Sequence, residues 1–283
     1  MRDLNEELNK IIDFAKRDEN IRALVLQGSF VNDNVVKDEY SDLDPLFYVR
    51  DLNEFIEKEE WKNTFGQPIS GFADEGDFHD GHKWYTKLTI YEDGFKIDFG
   101  FQSVDLAKYA KEMPLYKIYL DKDGIIPKPE VDDERRFYVK KPTEEEYLER
   151  INTFFYDSSY MAKSLARNEI FFAKYIESVL QKKIRILLEW CIGIQYNFHV
   201  NTGLMGRYFR RYLDDEVWNM LMKTYADGDR INLAKALMNS FDLVKYLGKF
   251  ISKSLGYDYP SKHERDMRDY CSKILNKMIK DIS

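Results

Sequence analysis

Three carboxylates (Asp42, Asp44 and Asp98) and a Gly28-Ser29 pair have the residue types and spacing for chemistry on a phosphate. Asp42 and Asp44 stand at the head of an apolar run, 43–49, that reads as a strand. Side chains two apart on a strand leave the same face, so both carboxylates aim at one spot. Two anions held that close either raise each other's pKa or take a cation between them. Carboxylate oxygens suit Mg²⁺, commonly held through one or two carboxylates plus substrate phosphates. Upstream, the apolar run 24–26 stops at Gln27-Gly28-Ser29, as a buried strand stops at a turn. A glycine turn in that place offers backbone N–H groups to phosphate oxygens, and Ser29 adds a hydroxyl.

Asp98 lies in the return strand of an expected hairpin: 87–91, a Glu92-Asp93-Gly94 turn, then 95–101. Phe95, Ile97, Phe99 and Phe101 share one face of that strand, and Lys96, Asp98 and Gly100 share the other. Two readings are open for Asp98: a solvated outer face, or a third carboxylate beside the other two. The paired acids favour the second. Gly-Ser, a loop of a dozen residues and Asp-x-Asp at a strand head, taken in that order, resemble the signature of the nucleotidyltransferase superfamily.

The elements that must position these residues follow from periodicity. Leu4, Leu8, Ile11, Ile12 and Ala15 predict an amphipathic helix over the first 17 residues. A helix is expected over 51–65, with Phe55, Ile56, Trp61 and Phe65 as its apolar members, and Gly66 ends it. The Gly/Asp-rich stretch 70–83 reads as a loop at the rim of the site, and His79-x-x-His82 within it as a solvated turn rather than a metal site. A short helix over 104–112 and a strand over 118–120 follow, and Pro45 marks a bulge or a strand start. Prolines 127, 129 and 142 amid charges make 125–143 the best linker. From Thr143, an N-cap with Glu146 three residues on, the pattern is helical to the end: to about 166, then 170–194, 216–225, 231–255 and 262–282. The fold class expected is α+β: a mixed sheet flanked by helices over 1–135, then a helical bundle over 136–283.

A hydrophobic content of 44% with 15% aromatics supplies buried cores and excludes a disordered chain. The net charge of −7 lacks the basic stripe of a nucleic-acid binder and suits a cationic small molecule. Cys191 and Cys271 fall in helical stretches and read as reduced thiols of a cytoplasmic protein. The charged, amphipathic start has no signal-peptide core, and no apolar run is long enough for a membrane.

Over nearly its whole length the chain resembles the aminoglycoside 6-adenylyltransferases, the streptomycin-modifying nucleotidyltransferases. The residues that carry this are Gly28-Ser29 with Asn32 and Asn34, Asp42-Leu43-Asp44, and Asp-Gly-x-Lys-Ile-Asp at 93–98. Leu-Asp-Lys-Asp at 120–123, Lys-Lys-Pro-Thr at 140–143, and Lys-Ser-Leu-Ala-Arg-Asn-Glu at 163–169 with Phe172-Ala173 extend it. Ile-Leu-Leu-Glu-Trp at 186–190 and Arg-Tyr-Leu at 211–213 complete it. The resemblance implies a nucleotidyltransferase domain followed by a helical domain that shapes the acceptor pocket. It implies ATP as co-substrate, Mg²⁺ as cofactor with two ions, and AMP transfer to a hydroxyl of a cationic drug. Asp42, Asp44 and Asp98 would then be the metal-holding and catalytic acids, with Gly28 and Ser29 on the outgoing phosphates. Lys163 and Arg167 have two readings, a solvated helix face or nucleotide phosphate contacts, and Glu169 is a candidate for the acceptor side. Four positions depart from the family pattern: Phe30 in place of arginine, Tyr175-Ile176 in place of Asp-His, and Leu204 in place of lysine.

Trp84 and Tyr85 are read as core aromatics, with stacking on adenine as the alternative. Trp190 and Trp218 read as bundle core, and Arg207, Arg210 and Arg211 as a solvent-facing run. Two alternatives to the drug-modifying enzyme stay open: a nucleotidyltransferase with another small-molecule or protein acceptor, and a degenerate member that binds nucleotide without turnover. The sequence leaves the acceptor hydroxyl, the choice of ATP over GTP and the oligomeric state open.

Overall fold

The computed structural model describes residues 2–32, 34–78, 81–113, 115–128 and 134–282. The chain divides into two compact units, Met1–Arg136 and Phe137–Ser283.

The first unit is built on a six-stranded mixed sheet in the order β3-β4-β5-β2-β1-β6. Helix α1 (Leu4–Arg17) opens it, N-capped by Asp3, whose side chain accepts from the N–H groups of Asn5 and Glu6. Strand β1 (Ile21–Gln27) follows, antiparallel to β2 (Asp44–Val49) on one side and to β6 (Tyr116–Asp121) on the other. Strands β3 (Pro68–Asp77), β4 (Lys83–Tyr91) and β5 (Lys96–Ser103) form an antiparallel meander. This meander joins the rest through a parallel β2–β5 pairing. At the open end of that junction the Asp98 N–H donates to the Leu43 carbonyl at 2.9 Å.

One sheet face carries Leu24, Leu26, Phe47, Phe99 and Phe101 against Leu8, Ile11 and Ala15 of α1 and the 53–65 segment. Stacked and edge-on rings, such as Phe55–Phe101 at 4.5 Å and Trp61–Phe99 at 4.9 Å, fill this layer. The other face buries Ala23, Val25, Leu46 and Tyr48 under Leu106, Ala107 and Ala110 of the 3₁₀ turn Val104–Glu112. That cover leaves the N-terminal ends of β2 and β5, where the acids stand, half-exposed.

Two sequence expectations change here. The Gly/Asp-rich stretch taken as a loop over 70–83 is largely strand β3, paired along its length with β4. It is an edge strand with nearly every residue exposed, so the alternation that would have marked it is lacking and backbone pairing alone defines it. His79, of the expected His-x-x-His turn, lies outside the described residues. The helix expected over 51–65 is two pieces, α2 (Asn53–Glu57) and a 3₁₀ turn (Glu59–Phe65), broken at Lys58, whose φ of −116° and ψ of 75° are not helical. The Trp61 indole N–H donates to the Phe55 carbonyl and holds the two pieces together.

The second unit is helical. Helices α3 (Glu144–Ala166), α4 (Ile170–Gln195), α7 (Arg230–Leu255) and α8 (Ser261–Ile282) pack around Phe154, Phe155, Leu187, Leu188, Phe241 and Leu247. Two short helices, α5 (Phe209–Tyr212) and α6 (Asp215–Met222), close one side through Phe209, Val217 and Leu221. The capping box expected at Thr143 and Glu146 is present in both halves. Cys191 and Cys271 are buried free thiols, and Trp190 is in the core with Trp218 packed against it. Among the described residues no helix is long and apolar enough to cross a membrane.

Candidate active site

The register of three strands builds the site. Gln27, the last residue of β1, pairs with Asp44, so the Gly28 turn leaves the sheet directly beside that carboxylate. Gly28 has φ 75° and ψ −157°, a backbone conformation nearly confined to glycine. A Cβ there would stand 2.1 Å from Asp44 Oδ2. The residue type is therefore dictated twice, by its own dihedrals and by the carboxylate lying over it.

Leu43 forms a parallel bridge with Ile97 and is fully buried, which points its neighbours Asp42 and Asp44 to the opposite side from the apolar layer. Lys96 and Asp98 flank Ile97 in the same way. The parallel ladder resumes at Leu46 and Gly100 in the same register, passing over Pro45, which has no N–H to give. Four charged side chains, from β5 and from the start of β2 with the residues just ahead of it, thus gather on one face.

Within this cluster Lys96 Nζ lies 2.6 Å from Asp98 Oδ2 and 3.2 Å from Asp42 Oδ2. The other oxygen of Asp98, Oδ1, is buried without a hydrogen-bond partner. Burial, followed by the charges of Asp98 and Asp42, pushes Asp44 up to about 6, with Lys96 pulling weakly the other way. Burial draws the Lys96 ammonium down, but its contacts with Asp98 and Asp42 outweigh this and raise it overall. Three carboxylates face one ammonium, so the site is under-neutralised, and the deficit falls on Asp44.

Hard oxygen donors, an unpartnered buried carboxylate oxygen and an excess of negative charge fit a divalent cation of the Mg²⁺ kind. Among the described residues no three acids, histidines or cysteines are already drawn together as a metal cluster, and Lys96 stands between two of the acids.

Beyond the acids on the same face, a cavity of about 300 Å³ is lined by Gln27, Leu46, Trp84, Thr86, Gly100 and Gln102, among others. Gly100 lines it without a side chain, and a Cβ there would come 3.0 Å from Leu46 Cδ1. Trp84 and Tyr85 both line this cavity; Tyr85 is also buried against Phe101, as expected of a core aromatic, whereas Trp84 is only half-buried.

Lys163, Arg167 and Glu169 belong to the helical unit. Lys163, in the last turn of α3, holds its ammonium 5.7 Å from the centre of the Tyr270 ring. Arg167 is the exposed C-cap of α3, and Glu169 the exposed N-cap of α4. Of the family departures, Phe30 packs against the first unit's core with the Lys37 ammonium 5.5 Å from its ring centre. Tyr175 is exposed and stacked on Phe172, and Ile176 is buried in the bundle.

A sequence profile of the family described as Streptomycin adenylyltransferase matches residues 1–274. The chain belongs to that family. It is a family of nucleotidyltransferases, which accords with the carboxylate geometry above. An aminoglycoside 6-adenylyltransferase of Bacillus subtilis (strain 168) is 31% identical over 271 residues, 93% of this chain and 95% of that protein. Proteins of the same name from Campylobacter jejuni and Staphylococcus aureus are each 29% identical, over 94% and 95% of this chain and 93% and 98% of their own. A crystal structure of an aminoglycoside 6-adenyltransferase from Bacillus subtilis aligns over 97% of this chain and 99% of its own, at 26% identity and a TM-score of 0.47.

The sequence reading did not single out Lys96, Gln27, Gln102 or Gly100 as site residues. The signal was there in β5, where Lys96, Gly100 and Gln102 alternate with the buried Ile97, Phe99 and Phe101 and so share the face of Asp98.

Proposed function

We propose that the chain transfers AMP from ATP to a hydroxyl of an aminoglycoside of the streptomycin kind, releasing pyrophosphate. The observation that carries this is that Asp42, Asp44 and Asp98 gather around Lys96 on one sheet face beside the Gly28 turn, in a chain similar over nearly its whole length to aminoglycoside 6-adenylyltransferases. Asp42, Asp44 and Asp98 are the residues that would hold Mg²⁺, two ions in the fullest reading. Bound there, Mg²⁺ supplies charge neutralisation on the phosphates and acidifies the acceptor hydroxyl.

The chain's own groups do the rest. Gly28 N–H and the Ser29 hydroxyl grip the outgoing phosphates. Asp98 is the residue assigned to help take the acceptor proton. In-line attack at the α-phosphorus then depends on positioning and on fixed dipoles more than on covalent help. The charges of Lys163 and Arg167 suit nucleotide phosphates, and that of Glu169 suits a cationic acceptor. The first unit is assigned to metal and nucleotide, and the helical unit to the acceptor, apart from the phosphate role given to Lys163 and Arg167.

A second reading keeps the chemistry and changes the acceptor. Exposed Tyr175 and buried Ile176, where the family carries Asp-His, favour it by removing an acid and a titratable ring from α4. Pyrophosphate release from ATP and Mg²⁺, measured with streptomycin and then with other hydroxylated antibiotics, separates the two. Release with streptomycin supports the first reading. Release only with another acceptor supports the second, and ATP binding with no release throughout contradicts both.

A further inference from the structure

Lys96 has no role in the reaction as described, yet it sits at the centre of the acids. Its ammonium is within hydrogen-bond distance of Asp98 Oδ2, on its own strand β5, and of Asp42 Oδ2, just ahead of β2. An ammonium is a compact point charge with three donors on a flexible stem, the side chain most able to stand where a hard cation would stand and then to swing away. Asp98 shows both states at once, with Oδ2 capped by Lys96 and Oδ1 buried without a partner. The lysine is half-buried rather than solvated, so its two ion pairs are screened less than surface pairs.

We propose that Lys96 is a resident counter-ion of the acid cluster, which a divalent ion must displace, so that metal is captured together with nucleotide rather than ahead of it. This rests on the reading of Asp42, Asp44 and Asp98 as cation-holding residues. A divalent ion entering alone breaks two ion pairs and meets the ammonium's repulsion. A triphosphate entering with it gives the displaced ammonium new anionic partners. Metal and nucleotide therefore strengthen each other's binding, and by linkage the factor is the same in both directions. Lys96 is in this sense a positioning residue that holds Asp42 and Asp98 together until the ion arrives.

The test is Mn²⁺ retained with the full chain on ultrafiltration, with and without ATP and with no acceptor present, so that Mn²⁺ held only by free ATP passes the membrane. Wild type is expected to bind Mn²⁺ weakly alone and more tightly with ATP. Lys96→Met is expected to bind Mn²⁺ alone about tenfold more tightly than wild type, as removing a nearby like charge requires. Its gain from ATP should shrink accordingly. Lys96→Arg, which keeps the charge, should stay near wild type, and Lys96→Gln carries the same comparison should the methionine variant not fold. Equal or weaker Mn²⁺ binding in the neutral variants overturns the proposal while leaving the metal site intact. No Mn²⁺ binding by any form, even with ATP, overturns the metal reading and the proposal with it.

Discussion

The Asp44 carboxylate lies over the α-carbon of Gly28, so that the phosphate-turn candidate and the acid cluster are one unit: a Cβ at Gly28 would stand 2.1 Å from Asp44 Oδ2. Gly28→Ala should therefore do two things at once. The strained backbone costs about 1–3 kcal/mol of stability, because φ 75° with ψ −157° is a region almost reserved for glycine. The displaced carboxylate should also reduce adenylyl transfer at least about a hundredfold, the scale of a misplacement of about 1 Å. Denaturant unfolding and the transfer rate, measured on the same variant, check both parts.

Asp44 gives the fold a pH dependence. An unfolded aspartate titrates near 3.9, whereas the folded group is pushed up to about 6, first by burial and then by Asp98 and Asp42. Between those values the folded chain holds the extra proton, so this group's contribution to stability falls as pH rises through the window and is least favourable above it. Asp44→Asn is expected to stabilise the chain by about 1–2 kcal/mol at about pH 7.5 and by almost nothing at about pH 4. The comparison is made by denaturant unfolding with chelator present, since a bound ion would stabilise the wild type by mass action. A variant less stable than wild type at neutral pH would count against the under-neutralised site.

The helical unit has its own weak point at the start of α3. Thr143 and Glu146 satisfy each other's backbone N–H groups. Thr143→Ala should cost about 1 kcal/mol, seen as a lower midpoint for the unfolding of this unit. Transfer activity well below that midpoint should be unchanged, because the cap touches none of the proposed site residues.

Much of the site was legible because strand alternation is a rigid rule. Phe95, Ile97, Phe99 and Phe101 placed Asp98 on the opposite face, and the Asp42/Asp44 pair followed from the same period. The long helices α3, α4 and α7 were legible from sustained apolar spacing. Strand β3 was not, because both of its faces are exposed and Gly71, Asp74, Gly76 and Asp77 are turn formers read singly. Its structure comes from pairing with β4, a partner that local composition does not reveal. The break at Lys58 was hidden for a related reason: Phe55, Trp61 and Phe65 keep a helix-like spacing while serving the same apolar layer from two separate turns. Lys96 was visible on the right face, but its contact with Asp42 depends on the β2–β5 register, which is set across fifty residues of chain.

The central claim is that Asp42, Asp44 and Asp98 together carry adenylyl transfer to an aminoglycoside. Its most direct test is the mass of streptomycin after incubation with ATP, Mg²⁺ and either the wild-type chain or Asp98→Asn. The wild-type chain is expected to leave the drug one adenylyl group heavier, and Asp98→Asn to leave it unmodified over the same time. Streptomycin adenylylated by Asp98→Asn at the wild-type rate would contradict the account, since the acid assigned to the metal and to the acceptor proton would then be dispensable.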